Sequence, residues 1–383
     1  MSRTAVLVGA AIAKPDELPH APTSYSIAAQ AARRALADAG LEKGDVDGLF
    51  TNSDGIDLEY PIVLSQYLGL RPRYVDGTES GGSSWESYIH HAVAAIEHGH
   101  CDVALAVYGR AARTEGTSEH WDAYGRLYNR VGPGQFEDVY GPTIPAYYAM
   151  AAARHMHEFG TTPEQLAEIA VAMRANAASN PLARYRDPIT VEDVLASPLI
   201  ADPLHRLDCC LVTDGGGAFV LTTEERARDL RRTPIHVLGS AEVVLGWNPA
   251  YREDVTDAPA FHTGKVALAK AGITHDEIDV AQIYDSFTIT VLLTLEGLGF
   301  CGKGEGGAFV EDGRLRADGA LPTNTDGGGL SANHPGMRGM FLVVEAARQL
   351  WGESTAQVPD AKICLCHGTG GYLSSGSTVV LGI

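Results

Sequence analysis

The chain has 383 residues, 45% of them hydrophobic and 20% charged, which is typical of a globular protein large enough for two domains. Its formal net charge of −19 argues against nucleic acid and anionic membranes as main partners. No stretch approaches the roughly 20 apolar residues of a membrane span, and six cysteines in mostly apolar surroundings favour reduced thiols in the cytoplasm over a disulfide framework.

The first half of the chain alternates predicted strands and helices. Residues 4–12 are apolar throughout, which predicts a buried strand rather than a signal peptide. We then expect, in chain order, a helix, a strand, a short helix, a longer helix and a strand over residues 25–39, 46–51, 60–68, 81–99 and 103–108. This alternation is typical of a mostly parallel sheet.

The middle of the chain differs in composition. Aromatic, Arg and His residues become frequent between residues 109 and 204, where no strand is predicted. Helices over 147–159 and 163–180 indicate an inserted helical region, the covering region, which we expect to lie over the functional site. Residues 208–222 are predicted to return to the sheet as two short strands around a glycine turn.

The second half, from residue 235, alternates again. Strands are predicted over 237–245, 280–284, 361–367 and 378–383, and helices over 261–271, 286–298 and 343–350. A long Gly-rich connection occupies residues 299–338. Long connections of this kind inside a compact domain usually carry function.

The two halves share a repeated segment. Residues 35–47 (ALADAGLEKGDVD) and 267–279 (ALAKAGITHDEID) each combine a small-residue helix, a glycine stop and an Asp-rich turn before an apolar run. The repeat suggests a duplicated α/β unit with halves at 1–234 and 235–383. A duplicated fold usually places its site where the halves meet.

The Gly-rich segment TDGGGLSANHPGMRG is the first candidate site. Gly328 and Gly329 let the backbone approach a ligand closely, and Pro335 restricts the backbone beside His334. A His in this position can donate to an oxyanion or transfer a proton. A solvated His in a glycine-rich turn would give the same pattern.

The motifs QIYDSF and VDGTESGGSSWES are further candidates. The first places Tyr284 and Asp285 at the carboxyl end of a strand, where α/β sites lie, although helix capping also explains Asp285. The second places Glu79 and Ser80 at a helix N-terminus, where exposed N–H groups favour an anion. A capped helix start is the alternative for this turn.

The motif CLCHGTGG is the last candidate. Cys366 and His367 are neighbours that could act as a thiol–imidazole pair ahead of a turn containing Gly370. Buried strand cysteines are common, so a purely structural role is also open. Cys364 and Cys366 have no matching second pair, so no metal ion is expected.

The order of these motifs resembles the thiolase superfamily over essentially the whole chain, and GEGGAFVEDG, LPTNTDGGGL and NHPGM resemble its sterol-carrier or lipid-transfer branch. The resemblance implies an α/β thiolase fold, in which two duplicated βαβαβαββ halves form a five-layer αβαβα arrangement with an inserted loop domain near 109–204. It also implies that the protein acts on acyl-CoA thioesters. His334 falls on the His of the family's GHP motif and Tyr284 where the family has the Asn of NEAF. Cys366 falls near its C-terminal acid/base Cys, with His367 beside it.

One departure from the family decides the expected reaction. Thiolases carry a nucleophilic Cys at the helix-entry turn, where this chain has Glu79 or, one position on, Ser80. A carboxylate there is a poor acyl acceptor, and a Ser without a base would not replace the thiolate. The resemblance therefore implies aldol cleavage of a β-hydroxyacyl-CoA through a thioester enolate, as in bacterial steroid side-chain aldolases.

In this hypothesis His334, with the Tyr284 hydroxyl, holds the thioester oxygen, and Tyr284, His367 or Cys366 relays the proton. Those aldolases have a Tyr near the position of His334 that this chain lacks, so their proton relay does not carry over. Two alternatives stay open. The protein is a thiolase or acyltransferase that uses another thiol such as Cys366, or a non-catalytic acyl-CoA or lipid-binding subunit.

The resemblance also implies the ligands and partners. The CoA thioester is a substrate, no cofactor is expected, and a homodimer with a small OB-fold, zinc-ribbon partner is implied. We expect CoA contacts from arginines of the covering region, namely Arg110, Arg113, Arg126, Arg130 and Arg154. A pocket for a bulky acyl group is expected from the aromatic residues Trp121, Phe136, Tyr147 and Tyr148.

Overall fold

The computed structural model describes residues 3–53, 59–116, 132 and 134–383, and its main feature is a nine-stranded sheet. The first half contributes five strands, β1 (Ala5–Ile12), β2 (Gly48–Phe50), β3 (Tyr74–Asp76), β4 (Val103–Ala111) and β7 (Asp214–Thr223). The second half contributes β8 (Ile235–Val244), β9 (Val280–Ile283), β10 (Ile363–Gly370) and β11 (Ser375–Gly382). Two short strands of the covering region, β5 (Leu199–Ala201) and β6 (Leu204–His205), form a separate hairpin.

In the described part of the chain, all but one of the α-helices of six residues or more lie close to their predicted positions; the short helix Val191–Ala196 was not predicted. The helices of this length are α1 (Ser24–Ala39), α2 (Tyr60–Leu68), α3 (Ser84–Glu97), α4 (Ile144–Phe159), α5 (Pro163–Ala177), α6 (Val191–Ala196), α7 (Ala260–Ala271), α8 (Thr288–Leu298) and α9 (Gly339–Leu350). Single helical turns lie at Ala112–Glu115, Gly134–Glu137, Glu224–Ala227 and Gly306–Phe309. Within the described ranges, no helix has the length and apolar character needed to cross a bilayer.

The strand order β3-β2-β4-β7-β1-β8-β11-β10-β9 shows the duplication directly. The two halves meet where Val6 and Leu7 of β1 pair antiparallel with β8. Outward from this junction the first half runs β1-β7-β4-β2-β3 and the second runs β8-β11-β10-β9. Thr323 makes an isolated parallel bridge to Ala281 where a fifth strand would lie. The βαβαβαββ pattern is therefore present in both halves, with its third strand reduced to a bridge in the second.

Three large apolar cores hold five layers together, and the middle core contains the central helical layer itself. Helix α1 covers one face of the first half-sheet, and α7 with α8 covers the corresponding face of the second. Helices α3 and α9 pack together between the half-sheets, and their buried side chains, including Trp85 and Phe341, join strand residues of both halves in a middle core. The αβαβα layering expected from the resemblance is confirmed.

The repeated segment has the same structural role in both halves. Asp47 Oδ1 accepts a hydrogen bond from the backbone N–H of Val103 at 2.8 Å, at the start of β4. Asp279 Oδ2 accepts hydrogen bonds from Lys362 at 2.7 Å and Ile363 at 2.8 Å, at the start of β10. Each Asp therefore fixes the first residues of a neighbouring strand, and the repeat reflects folding rather than chemistry.

Asp279→Ala is expected to lower the free energy of unfolding by about 2 kcal/mol, because two backbone N–H groups lose a charged acceptor. The measurement is urea unfolding followed by circular dichroism. Asp276→Ala is the matched control, because Asp276 is an exposed acidic residue of the same turn. It should change the free energy by less than about 0.5 kcal/mol. Equal effects of the two substitutions would contradict the proposed role of Asp279.

Two predictions for the middle of the chain are wrong. Residues 208–222 do not form two strands around a turn, because the glycines lie inside the single strand β7. A Cβ at Gly216 would overlap the backbone of β4, and one at Gly217 would collide with Met340 of α9. These glycines therefore permit close packing on both faces of the strand. The hairpin β5–β6 was also missed, because strands of two or three residues are too short to show alternation.

Candidate functional site

A cavity of about 540 Å³ lies where the two halves and the covering region meet. Its polar wall combines Glu79 and Ser80 of the first half with Tyr284 and His334 of the second. Its apolar wall includes aliphatic and aromatic side chains, among them Ile144, Tyr148, Leu211, Trp247, Phe287 and Tyr372. A largely apolar cavity with a few convergent polar groups is the usual form of a small-molecule site.

Tyr284 and His334 form the polar centre of the cavity. Tyr284 directly follows β9, and its N–H donates to the carbonyl of His367 at 3.0 Å. Its Oη lies 3.0 Å from His334 Nε2, and the two rings meet edge to face. Gly82 makes this arrangement possible, because a Cβ at that position would overlap the Tyr284 ring. Two motifs that are far apart in sequence therefore converge on one hydrogen bond.

His334 is held in place and kept neutral. Its backbone N–H donates to Thr213 Oγ1 at 3.1 Å, and its carbonyl accepts from the N–H of Thr213 at 3.3 Å. Burial, with a contribution from the nearby Arg338 guanidinium, lowers the pKa of His334 to about 4. The imidazole is therefore uncharged near pH 7 and can either donate or accept a hydrogen bond at Nε2.

Asp285, Gly328 and Gly329 lie behind the cavity wall. The Asp285 carboxylate accepts hydrogen bonds from the backbone N–H groups of Gly329 at 2.7 Å and Leu330 at 3.1 Å. Gly328 begins a π-helical turn with a φ of 67°, and a Cβ there would overlap the Asp285 carboxylate. The sequence suggested that these residues contact substrate, whereas the structure uses them to shape the loop that leads to His334.

Arg338 completes a buried ionic network around this loop. Its guanidinium binds Asp326 through contacts of 2.5 and 2.6 Å, and its Nε lies 3.8 Å from Asp285 Oδ1. Burial raises the pKa of Asp285 to about 7, although Arg338 and the two N–H donors act in the opposite direction. Asp285 therefore changes its charge near neutral pH.

Cys366 and His367 do not form the thiol–imidazole pair that their adjacency suggested. They are consecutive residues of β10, and consecutive strand side chains point to opposite faces of a sheet. Neither lines the cavity. The Cys366 Sγ lies 3.7 Å from the carbonyl of Leu342, and burial raises the pKa of its thiol. His367 Nδ1 contacts Thr378 Oγ1 at 2.8 Å, and burial lowers its pKa to about 3.

Glu79 and Ser80 are in the cavity wall, as their place at the helix-entry turn suggested. A short 3-10 turn, Gly81–Ser83, separates them from the first residue of α3. The carbonyl of Ser80 accepts a hydrogen bond from Ser375 Oγ at 2.6 Å. Gly370 lies behind the wall, where a Cβ would overlap this carbonyl, so its role is to let β10 approach the turn.

The wall residues that were not predicted include two cysteines and an arginine, namely Cys209, Cys210 and Arg206. Burial raises the pKa of Cys209 to about 12 and that of Cys210 above its usual range, so both cavity-wall thiols are protonated. Arg206 is the one Lys or Arg side chain in the described part of the wall. All three follow the hairpin β5–β6, and no motif marked this segment. In the described ranges, no three His, Cys, Asp or Glu side chains are arranged to hold a metal ion.

The arginines expected to bind CoA are not in the described wall. Arg110 is buried beside Glu115, Arg154 pairs with Glu158, and Arg113 is exposed elsewhere. Of the expected aromatic residues, Tyr148 lines the cavity, Tyr147 packs behind it on Tyr372, and Phe136 is 70% exposed. Arg126, Arg130 and Trp121 lie outside the described residues.

Comparisons with known proteins agree with this arrangement. Residues 241–383 match a family model described as thiolase C-terminal domain-like. A 17-hydroxy-3-oxo-4-pregnene-20-carboxyl-CoA lyase of Mycobacterium tuberculosis is 35% identical over 359 residues, 90% of this chain and 91% of that protein. An acetyl-CoA acetyltransferase of Methanothermobacter thermautotrophicus is 34% identical over 345 residues, 88% of each chain. A solved structure described as an Ltp2-ChsH2(DUF35) aldolase has a TM-score of 0.84 and 33% identity, covering 99% of this chain and 97% of that one.

Proposed function

Because this chain belongs to the thiolase superfamily, we propose that it is an acyl-CoA-dependent aldolase of the kind that cleaves steroid side chains or other bulky acyl groups. Its substrate is a β-hydroxyacyl-CoA, and its products are a carbonyl compound and acetyl- or propionyl-CoA. One observation carries the proposal. The cavity holds a Tyr284–His334 pair joined at 3.0 Å. Its wall also holds Glu79 and Ser80, one of which, by the family resemblance, takes the place of the nucleophilic cysteine of thiolases.

The cavity supplies the groups that the cleavage needs. A base takes the β-hydroxyl proton, the Cα–Cβ bond breaks, its electron pair forms the thioester enolate, and protonation at Cα releases the acyl-CoA. When substrate binds, the hydrogen bond between Tyr284 and His334 is exchanged for bonds that both groups donate to the enolate oxygen. One such donor contributes about 3–4 kcal/mol to transition-state stabilisation. Because the His334 imidazole is neutral, a proton can pass between Tyr284 Oη and His334 Nε2. Glu79, in the same wall, is a candidate base for the β-hydroxyl.

An acyltransferase reaction is less well supported, because it needs a thiolate beside a base. Cys209 and Cys210 line the described wall, but burial keeps both thiols protonated. The Cys209 Sγ donates to the carbonyl of His205 at 3.3 Å rather than to a base. Cys366 lies behind the wall with a raised pKa.

The rest of the wall fits an acyl-CoA with a bulky acyl group. Tyr148 stacks on Phe287 with ring centroids 4.4 Å apart, and Trp247 meets Tyr372 at 4.9 Å, so the apolar side offers flat aromatic surfaces. Arg206 is the cationic side chain available there for the anionic CoA portion. We also propose a small OB-fold, zinc-ribbon partner that completes the pocket, because a similar structure is described as an Ltp2-ChsH2(DUF35) aldolase. A homodimer follows from the family resemblance.

The decisive experiment incubates the protein, with and without a candidate partner subunit, with a panel of β-hydroxyacyl-CoA esters. We expect a carbonyl compound and acetyl- or propionyl-CoA in equal amounts, and no acyl adduct in the intact-protein mass. A stable adduct would instead support an acyltransferase. Tight binding without turnover, even with the partner present, would support a binding subunit.

A further inference from the structure

Thr369, on β10, is a cavity residue that the mechanism above leaves unused. It belongs to the described wall and is 2% exposed. Its Oγ1 is shut off from solvent and has no hydrogen-bond partner among the described residues. Nearly all buried polar groups in folded proteins are paired. An unpaired hydroxyl on a residue of the cavity wall can bond a ligand atom once rotation about its Cα–Cβ bond turns it toward the cavity.

The position of Thr369 indicates which part of a ligand it meets. Tyr284 donates its backbone N–H to the carbonyl of His367, two residues before Thr369 on the same strand. Gly82 lies against both residues, because a Cβ there would overlap the Tyr284 ring and approach the carbonyl of Thr369 to 2.5 Å. Thr369 therefore lies beside the Tyr284–His334 pair, at the reacting end of the cavity.

The substrate oxygen nearest the bond that breaks, apart from the thioester itself, is the β-hydroxyl. We propose that the Thr369 hydroxyl hydrogen-bonds this oxygen and so distinguishes β-hydroxyacyl thioesters from acyl thioesters without it. The proposal rests on the proposed function, because it assigns a further substrate contact in the same cavity. Rotation about one side-chain bond is enough to redirect the hydroxyl between staggered positions. The contact persists when the oxygen becomes the carbonyl of the product.

The test compares two ligands on matched variants. Calorimetry measures the Kd of 3-hydroxydecanoyl-CoA and of decanoyl-CoA in a His334→Ala background, where cleavage of the first ligand is slowed about 100- to 1,000-fold. We expect the hydroxylated ligand to bind about 10-fold more tightly when Thr369 is present, which is the effect of one hydrogen bond. Thr369→Val, which keeps the shape but removes the hydroxyl, should abolish this preference. Thr369→Ser should retain it.

Thr294→Val is the control for loss of a buried hydroxyl alone. Thr294 is fully buried in α8, its Oγ1 also has no partner in the described part of the chain, and it does not line the cavity. It should keep the ligand preference, and neither Val variant should melt at a lower temperature, because no hydrogen bond of the free protein is lost.

The inference is overturned if Thr369→Val keeps the preference or if Thr294→Val removes it equally. Because the readout is binding, it decides the role of Thr369 even when the wild-type protein cleaves no β-hydroxyacyl-CoA, which would refute only the proposed function. Cleavage by the wild type combined with an unchanged preference in Thr369→Val would refute only the role of Thr369.

Discussion

His334→Ala is expected to lower kcat/KM for β-hydroxyacyl-CoA cleavage by about 100- to 1,000-fold. The substitution removes the imidazole whose Nε2 lies 3.0 Å from Tyr284 Oη, and with it the partner that orients the phenol toward the cavity. Substrate binding should change less than turnover, because the apolar wall that holds the acyl group is untouched. Steady-state kinetics on the ester that the wild type cleaves best gives both parameters.

The double variant Tyr284→Phe, His334→Ala separates a joint role from two independent ones. Groups that act as a unit are strongly non-additive, so we expect the double variant to be about as slow as the slower single variant. His98→Ala is the surface control, because His98 is exposed at the end of α3 and far in sequence from the cavity motifs. Retention of more than about a tenth of the activity by His334→Ala would rule out its role as an enolate donor.

The resemblance to the thiolase superfamily is what predicted that Tyr284 and His334 belong to one site. Local rules place Tyr284 at the carboxyl end of a strand, because it ends a strongly apolar run, but for His334 they indicate only a backbone restricted by the following Pro. The duplication then places the two motifs near the junction of the halves. Their mutual distance could not be predicted, because it depends on Gly82, a third segment whose missing side chain admits the Tyr284 ring.

Other site predictions failed for identifiable physical reasons. The alternation of strand side chains separates Cys366 from His367, and adjacency in sequence hides this. Long Arg side chains give no signal of their direction, so Arg110 and Arg154 were chosen for CoA although both pair with glutamates. Arg206 was missed because it follows a hairpin too short to leave a pattern.

The role of Asp285 could not be predicted from the sequence, because it depends on contacts between distant segments. Capping of the following helix needs N–H groups that lie close in sequence, and the motif QIYDSF is compatible with that reading. The N–H groups that Asp285 binds belong instead to Gly329 and Leu330, 44 and 45 residues further along the chain. Long-range backbone contacts of this kind leave no local periodicity, so only the folded chain shows them.

Asp285→Asn is expected to lower kcat by about 10- to 100-fold with a smaller change in KM, because misplacing a reacting group by about 1 Å has effects of this size. The carboxylate accepts one N–H on each oxygen, whereas an amide presents an NH₂ group to one of these donors. The loop that carries His334 is then no longer held from both sides.

The dependence of kcat on pH tests the hydrogen bonds that Asp285 accepts from Gly329 and Leu330. Wild-type kcat should fall as the pH drops from 8 to 6, because Asp285, with a pKa of about 7, takes up a proton and loses an acceptor. His334, with a pKa of about 4, stays neutral over this range. Acid unfolding does not explain this loss of activity. Burial in the folded protein raises the pKa of Asp285 from 3.8 to about 7, so this carboxyl adds to the stability of the fold below pH 3.8 and loses that contribution as the pH rises toward 7. In Asp285→Asn the acid limb should be absent.

Glu345→Gln is the control that identifies the titrating group. Glu345 is also buried, burial raises its pKa to about 7, and its Oε1 accepts hydrogen bonds from Thr325 and Ser354 at 2.7 and 2.6 Å. The charged groups around Asp285 itself are Arg338 and Asp326. If the acid limb persists in Asp285→Asn but vanishes in Glu345→Gln, the ionisation that controls activity lies on α9, and Asp285 is not the group that couples pH to the position of His334.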